Sequence, residues 1–191
     1  MKQLSSTLLV AQKGASGAPY VKAELSDYWG DRTRIRFTRH YTGSEGEYYG
    51  AVAGAPDGSL IRARIDPSTK VLYTQRVTSP GPSSDFSQWT SHGTVSASGA
   101  VALAVGGSAL YLFYVDAGLT TLKVKTSSDN GASWGAAANV TTAGGTKVYL
   151  AAAVATSGDV VVFWNEGATV YRSRWNGSSW GTRTAWSTSS P

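Results

Sequence analysis

Arginine occurs at every second position over Arg32, Arg34 and Arg36, a pattern that suits anion binding. In a β-strand, side chains two residues apart share one face, so a strand here would hold three guanidinium groups in a row. Such a row can bind carboxylate, sulfate or phosphate through paired N–H donors. The same pattern is also typical of a solvated edge strand whose charges prevent aggregation, and the sequence favours this second interpretation.

Aromatic side chains are the other candidates for ligand binding. Tyr114 and Trp164 lie in apolar segments, and their rings are candidates to stack on sugar rings. The alternative for each is packing between neighbouring sheets, which is the commoner role for any single aromatic residue in such a segment. The sequence does not separate the two roles.

No catalytic set can be assigned from the sequence. The chain has two histidines, His40 and His92, far apart in sequence, and no cysteine, so we expect no metal site, no disulfide and no cofactor. No pair of carboxylates stands out for ordinary glycoside hydrolysis. Asp57, Asp66 and Asp116 lie at the ends of predicted strands, where aspartate favours turns.

The composition indicates that β-strands position these residues. The chain has 22 glycines, 7 tryptophans and 10 tyrosines, and 15% of its residues are charged, a balance typical of a turn-rich sheet protein. The net charge of +5 is spread along the chain, so we expect no nucleic-acid partner. No apolar stretch approaches the roughly 18 residues of a membrane-spanning helix.

An internal repeat predicts the fold. Trp89, Trp134 and Trp180 are 45 and 46 residues apart, and turn signals at 57–59, 106–108 and 157–159 recur at a similar period. Each turn signal follows a run of small apolar residues and precedes two strand-like segments. The repeat therefore predicts an all-β protein of three four-stranded antiparallel blades, over 49–98, 99–145 and 146–188, and opposes the alternative of a β-sandwich. The runs of small residues predict the inner strands, where blades crowd together.

Residues 1–48 lack this repeat. They predict a short helix over 5–13 and two strands, over 20–25 and 32–38. We therefore expect an N-terminal adaptor, or a partial extra blade, in 1–48, followed by a three-blade region in 49–191.

The segment Ser127-Ser128-Asp129-Asn130-Gly131-Ala132-Ser133-Trp134 predicts a tight turn. Short Ser and Asp side chains accept hydrogen bonds from turn amides, glycine supplies a positive φ, and the tryptophan ring can pack back over the turn. The segment resembles the Asp-box, or BNR repeat, of sialidases and related β-propellers, with Ser127, Asp129, Gly131 and Trp134 at the motif positions. The equivalent segment 173–180 has Trp175 in place of the acid, and segment 83–89 matches less well.

The resemblance implies a six-bladed propeller in which the Asp-box is peripheral and structural. Sialidase catalysis requires an arginine cluster, an Asp acid/base and a Tyr nucleophile assisted by Glu, drawn from blades around the whole ring. Three repeats supply half of such a ring, so no catalytic residue is assigned. The segment Thr33-Arg34-Ile35-Arg36 resembles the family's Phe/Tyr-Arg-Ile-Pro motif but lacks its aromatic residue and its proline.

The segment Pro19-Tyr20-Val21-Lys22-Ala23-Glu24-Leu25-Ser26-Asp27 resembles the opening of phage and prophage tail proteins. Together the patterns predict a non-catalytic recognition or structural module that binds glycan or protein, as a homo-oligomer or as part of a larger assembly. The alternative is a sialidase-like glycoside hydrolase, present as a fragment or completed by dimerisation. The apolar run near Met1 is too short for a secretory signal, so an extracellular or virion-associated protein would be released by another route.

Overall fold

A computed structural model describes residues 21–26, 34–39, 49–78, 80, 88–96 and 100–186. The chain divides into two compact units, Met1–Gly46 and Glu47–Pro191. Every element within the described residues is a β-strand. None of these residues forms a helix long and apolar enough to cross a membrane.

The first unit contains an antiparallel hairpin of strands β1 (Val21–Ser26) and β2 (Arg34–Arg39). The two predicted strands are confirmed, each with its bounds shifted by one or two residues. Their register runs from Val21 opposite Arg39 to Ser26 opposite Arg34. The predicted helix over 5–13 lies outside the described residues.

The second unit contains three four-stranded sheets, and in each sheet the strands are paired antiparallel in chain order. Sheet 1 comprises β3 (Tyr49–Gly54), β4 (Leu60–Ile65), β5 (Val71–Val77) and β6 (Thr90–Thr94). Sheet 2 comprises β7 (Val101–Gly106), β8 (Ala109–Val115), β9 (Leu122–Ser127) and β10 (Ala138–Thr141). Sheet 3 comprises β11 (Lys147–Val154), β12 (Val160–Glu166), β13 (Thr169–Trp175) and β14 (Thr184–Ala185).

The turn between the first two strands is built in the same way in sheets 1 and 3. Gly58 and Gly158 have φ angles of 82° and 87°, which L side chains rarely adopt. In sheet 1 the Asp57 carboxylate accepts hydrogen bonds from the Ser59 amide (3.0 Å) and hydroxyl (2.6 Å), which closes the turn. The recurring turn signals in the sequence therefore mark equivalent points of the fold.

The three sheets lie side by side with their first strands adjacent. Strand β7 packs beside both β3 and β11, so these strands form the inner edge of the array. Small residues at this edge, including Ala51, Ala102 and Ala152, allow the close approach. Consecutive antiparallel sheets arranged in this way are β-propeller blades. The predicted fold class is thus confirmed, and the sheets do not face each other across one core as in a sandwich.

Each contact between neighbouring sheets has its own apolar core. Ile65 and Leu72 of sheet 1 pack with Leu112 of sheet 2. Phe113 of sheet 2 packs with Val162 and other residues of sheet 3. Burial of each such side chain stabilises the fold by about 1.5–3 kcal/mol before entropy is counted. We call the face of a sheet that points to the following sheet its front face, and the opposite face its rear face.

Candidate recognition surfaces

The turn at 127–134 joins β9 to β10 and is closed by its own short side chains. The Ser127 hydroxyl accepts a hydrogen bond from the Gly131 amide (2.8 Å) and donates to the Asp129 carboxylate (2.7 Å). That carboxylate also accepts from the Ser133 amide (2.9 Å) and hydroxyl (2.5 Å). The Ser133 hydroxyl and amide lower the pKa of Asp129 to about 2. The acid therefore acts within its own turn, as the sequence pattern predicts.

The 127–134 turn also packs on sheet 1. Gly131 has a φ of 82°, and a Cβ atom at this position would lie 2.6 Å from Cδ1 of Ile61, a fully buried residue of β4. The neighbouring Asn130 carbonyl accepts a hydrogen bond from Nε of Arg76 (3.0 Å), and Arg76 forms an ion pair with Asp57 (2.7 Å). The turn therefore joins two sheets as well as two strands.

Trp134 closes the turn and is half-buried. It packs against the cores between sheets 1 and 2, and the edge of His92 approaches its ring with a centroid distance of 6.1 Å. Its indole nitrogen is buried and has no hydrogen-bond partner among the described residues. The exposed part of Trp134 lines a cleft. One side of the Trp134 ring is therefore buried between sheets 1 and 2, and the other is open to the cleft.

This cleft, of about 530 Å³, lies between sheets 2 and 3 beside the 127–134 turn. Its lining includes three half-buried aromatic rings and three exposed hydroxyls, from Tyr111, Trp134, Trp175, Thr126, Ser128 and Ser133. None of the described residues that line it carries a charged side chain. The sequence reasoning missed the cleft because its walls come from two repeats.

Tyr114 and Trp164 are placed in the cores and not on a surface. Tyr114 is 6% exposed and packs in the contact between sheets 1 and 2, and Trp164 is 1% exposed and packs between sheets 2 and 3. The Trp164 indole donates a hydrogen bond to the Glu166 carboxylate (2.9 Å). The expectation that these rings stack on sugars is therefore corrected, since burial between sheets leaves neither ring a free face.

The predicted arginine row is described only in part. Arg34 and Arg36 lie in β2, where they pair in register with Ser26 and Glu24. Arg32 lies outside the described residues, so anion binding by the row stays a prediction.

A second arginine pair lies on the rear face of sheet 1. The guanidinium groups of Arg62 and Arg64 stack over the Trp89 ring at 5.0 and 4.4 Å, and Arg64 also lies 5.6 Å from the Tyr73 ring. Arg62 donates to the Gln75 side chain (3.0 Å). The alternation of Arg62 and Arg64 within a predicted strand was the available signal for this cluster.

Glu166 and Lys147 form a buried ionic network between sheets 2 and 3. The fully buried Lys147 ammonium donates to the carbonyl oxygens of Thr120 (2.5 Å) and Ala143 (3.0 Å), and it lies 3.5 Å from the Glu166 carboxylate. Glu166 also accepts from Arg183 (2.5 Å). Burial raises the pKa of Glu166, but the hydrogen bonds from Trp164 and Arg183 outweigh it, so the pKa falls to about 2. Through its bond to Thr120, Lys147 links sheet 3 to sheet 2, and the carboxylate of Glu166, with all these donors, is not poised to accept a proton.

A metal site is not formed by the described residues, which contain no cluster of three or more His, Cys, Asp or Glu side chains. His92 bonds to the Thr74 hydroxyl (2.6 Å). Burial, followed by the charge of Lys125, lowers the pKa of His92 to about 4. The imidazole is therefore neutral at physiological pH.

Among the described residues, no further sheet covers the front face of sheet 3. In sheet 2, Phe113 is paired with Ala102 and Val124, and in sheet 3 the equivalent Phe163 is paired with Ala151 and Arg172. The sheet 2 residues are buried against sheet 3, whereas Ala151 and Arg172 are exposed.

The same contrast holds across the rest of this face. Leu122 is 0% exposed, and its equivalent Val170 is 39% exposed. Tyr149 and Trp186, on the same face, are 66% and 44% exposed. Among the described residues, every exposed large apolar side chain belongs to sheet 3.

No protein-family model and no curated protein matches this chain. Among solved structures, it is similar to a luciferin-regenerating enzyme, with 14% sequence identity and a TM-score of 0.48. The match covers 97% of this chain and 64% of that chain, so this chain spans less than two thirds of the length of that enzyme.

Proposed function

We propose that this chain is a non-catalytic recognition or structural module that works within a larger assembly, joined to it through the front face of sheet 3. The observation that carries the proposal is the exposed apolar surface of Tyr149, Val170 and Trp186, on the face that sheet 2 buries against its neighbour. Soluble monomers rarely expose a contiguous apolar patch of this kind, and such patches mark interfaces.

The charges on this face indicate what covers it. The Arg172 guanidinium lies over the Trp186 ring at 5.5 Å, and no carboxylate among the described residues forms an ion pair with it. Arg174, by contrast, pairs with Asp159. A partner that buries Arg172 must supply an acidic group, because a buried unpaired charge is costly. The partner is therefore a further protein sheet whose face is apolar and carries a carboxylate opposite Arg172.

A second copy of the chain fits this requirement less well. Ring closure would bring the rear face of sheet 1 onto the front face of sheet 3. That rear face carries Arg62 and Arg64 where sheet 2 has Leu112 and Tyr114. At these positions the described residues offer arginines and not a carboxylate to Arg172.

The resemblance of the 127–134 turn to an Asp-box supports a sialidase-like propeller as the completed assembly. In that architecture the turn is structural, and its contacts with Ile61 and Arg76 agree with such a role. We propose that the completed assembly recognises glycans and belongs to a virion-type particle.

The proposal predicts that the isolated chain has an adhesive apolar face. We expect strong binding of a hydrophobic dye and, by light scattering, concentration-dependent association above the 20.0 kDa monomer mass. A Tyr149→Lys, Val170→Lys double variant should lose most of both signals, because charges on this face oppose its burial. Thr142→Lys, an exposed change in the loop before sheet 3, is the matched control and should behave as the wild type.

Two outcomes of this experiment would count against the proposal as stated. A monodisperse monomer that binds no dye would contradict the proposal. A stable dimer that is lost in the double variant would show that a second copy, and not another protein, covers the face.

A further inference from the structure

We infer that the cleft between sheets 2 and 3 is a binding site for neutral saccharide rings. This inference rests on the proposed recognition role and names its ligand class. The cleft combines aromatic rings with hydroxyl groups, and its volume of about 530 Å³ lies within the range of small-molecule sites, roughly 300–1,000 Å³. A sugar needs both kinds of contact, since a pyranose has an apolar C–H face and a polar rim.

The aromatic walls are held in place before any ligand binds. Tyr111 stacks on the fully buried Phe113, with a centroid distance of 6.4 Å and an interplanar angle of 13°. Trp175 packs on Trp180 at 5.4 Å, and Trp180 packs edge-on against Phe113 at 5.5 Å. A sugar that stacks on Tyr111 or Trp175 therefore orders little of the protein, which favours binding.

The polar groups come from β9 and the 127–134 turn, and Thr126 lies beside Tyr111 as its partner on the neighbouring strand. Thr126 and Ser128 are exposed, and Ser133 is oriented by its hydrogen bond to Asp129 (2.5 Å). Hydroxyl groups both donate and accept hydrogen bonds. They can therefore pair with sugar hydroxyls that act either as donors or as acceptors. A side chain that reaches across from Ser128 would block the cleft.

The absence of charge among the described lining residues selects neutral sugars over acidic ones. A sialic acid carboxylate would have to be desolvated without an arginine to bind it. Lys125 lies next to the cleft, but its ammonium donates to the Gly135 carbonyl oxygen (3.2 Å). The carboxylate of Asp129 is likewise occupied by Ser127 and Ser133. We therefore expect uncharged hexose or N-acetylhexosamine units.

Saturation-transfer NMR on the full chain tests this assignment with five probes: lactose, maltose, cellobiose, diacetylchitobiose and sialyllactose. We expect transfer to at least one of the four neutral sugars, with a Kd of about 1 mM, and no stronger transfer to sialyllactose than to lactose. Trp175→Ala should weaken binding about tenfold, the worth of one aromatic contact. Ser128→Arg should abolish binding while leaving every packed side chain in place.

Trp89→Ala is the matched control, because the Trp89 ring packs against Arg62 and Arg64 on the rear face of sheet 1 and does not line the cleft. It should leave sugar binding unchanged. The inference is wrong if the folded wild type binds none of the neutral sugars, if only sialyllactose binds, or if binding survives both Trp175→Ala and Ser128→Arg. A proline-rich peptide that binds where sugars do not would also overturn it. None of these results alters the dye and mass measurements at Tyr149 and Val170, so the two proposals fail separately.

Discussion

Several aspartates of this protein stabilise the turns in which they lie. Asp57, Asp66 and Asp129 each accept hydrogen bonds from a serine hydroxyl two or four residues later, and these bonds lower the pKa of all three to about 2. Short acceptors of this kind satisfy turn amides that the sheet cannot reach. The position of these aspartates in turns could be predicted from the sequence, because donor and acceptor lie within one turn.

His92 gives the fold a pH dependence of its own. Its pKa is about 4 in the folded chain, against an ordinary 6.5. Above pH 6.5 the imidazole is neutral in both folded and unfolded chains, so it contributes nothing. Below that value the unfolded chain takes up the proton first, so stability falls progressively until about pH 4.

Urea unfolding at about pH 7.5 and about pH 5 measures this effect. The wild type should lose stability at the lower pH, and His92→Gln should lose clearly less, since it has no group that titrates there. Among the described residues, the carboxylates with lowered pKa values are Asp57, Asp66, Asp129 and Glu166. Most of their contribution is lost below about pH 4.5, and both proteins share that loss, so it does not obscure the comparison. An equal loss in both proteins would rule out His92 as the cause.

At the scale of elements, the turns after the third strands of sheets 2 and 3 have similar backbone angles at their glycines but make different contacts. Gly131 and Gly177 both have positive φ angles, 82° and 97°. A Cβ atom at Gly131 would collide with Ile61 of sheet 1, whereas at Gly177 nothing lies within 4 Å. The first turn therefore packs on a neighbouring sheet, whereas the second makes no such contact at its glycine.

The two glycines make a matched pair of variants. Each change to alanine should cost about 1–2 kcal/mol for the left-handed backbone. Gly131→Ala should cost about 1–3 kcal/mol more, because Ile61 is fully buried and must move. Chemical denaturation measures both losses, and equal losses would mean that the contact with sheet 1 has no energetic weight.

The strands and their grouping could be predicted from the sequence, whereas the contacts between sheets could not. Turn signals and β-branched runs act over a few residues, so the spacing of Trp89, Trp134 and Trp180 located all three sheets. The burial of Tyr114 and Trp164 and the pairing of Lys147 with Glu166 depend on which faces meet. Alternation along a strand gives two faces but does not say which of them is covered, and the predicted sugar-stacking residues were wrong for that reason.

At the scale of the whole molecule, the described residues of the three sheets offer few of the groups that a glycosidase needs. Glu166 is engaged by Lys147 and Arg183, and His92 is neutral and half-buried. We therefore expect no turnover of fluorogenic sialosides by the isolated chain, with an active sialidase as the positive control. Turnover that Arg34→Ala abolishes would contradict the non-catalytic proposal and favour the sialidase-like alternative.

The order of the sheets along the chain has a consequence for synthesis. Each sheet covers the front face of the one before it, so a chain emerging from the ribosome gains protection one sheet at a time. Sheet 1 is shielded when residues 101–115 arrive, and sheet 2 when residues 147–166 arrive. Within the described residues no later sheet covers the surface around Tyr149 and Val170, so this surface stays exposed after the first two sheets have been covered. During expression it is therefore the surface that a chaperone would bind and the one from which aggregation would begin.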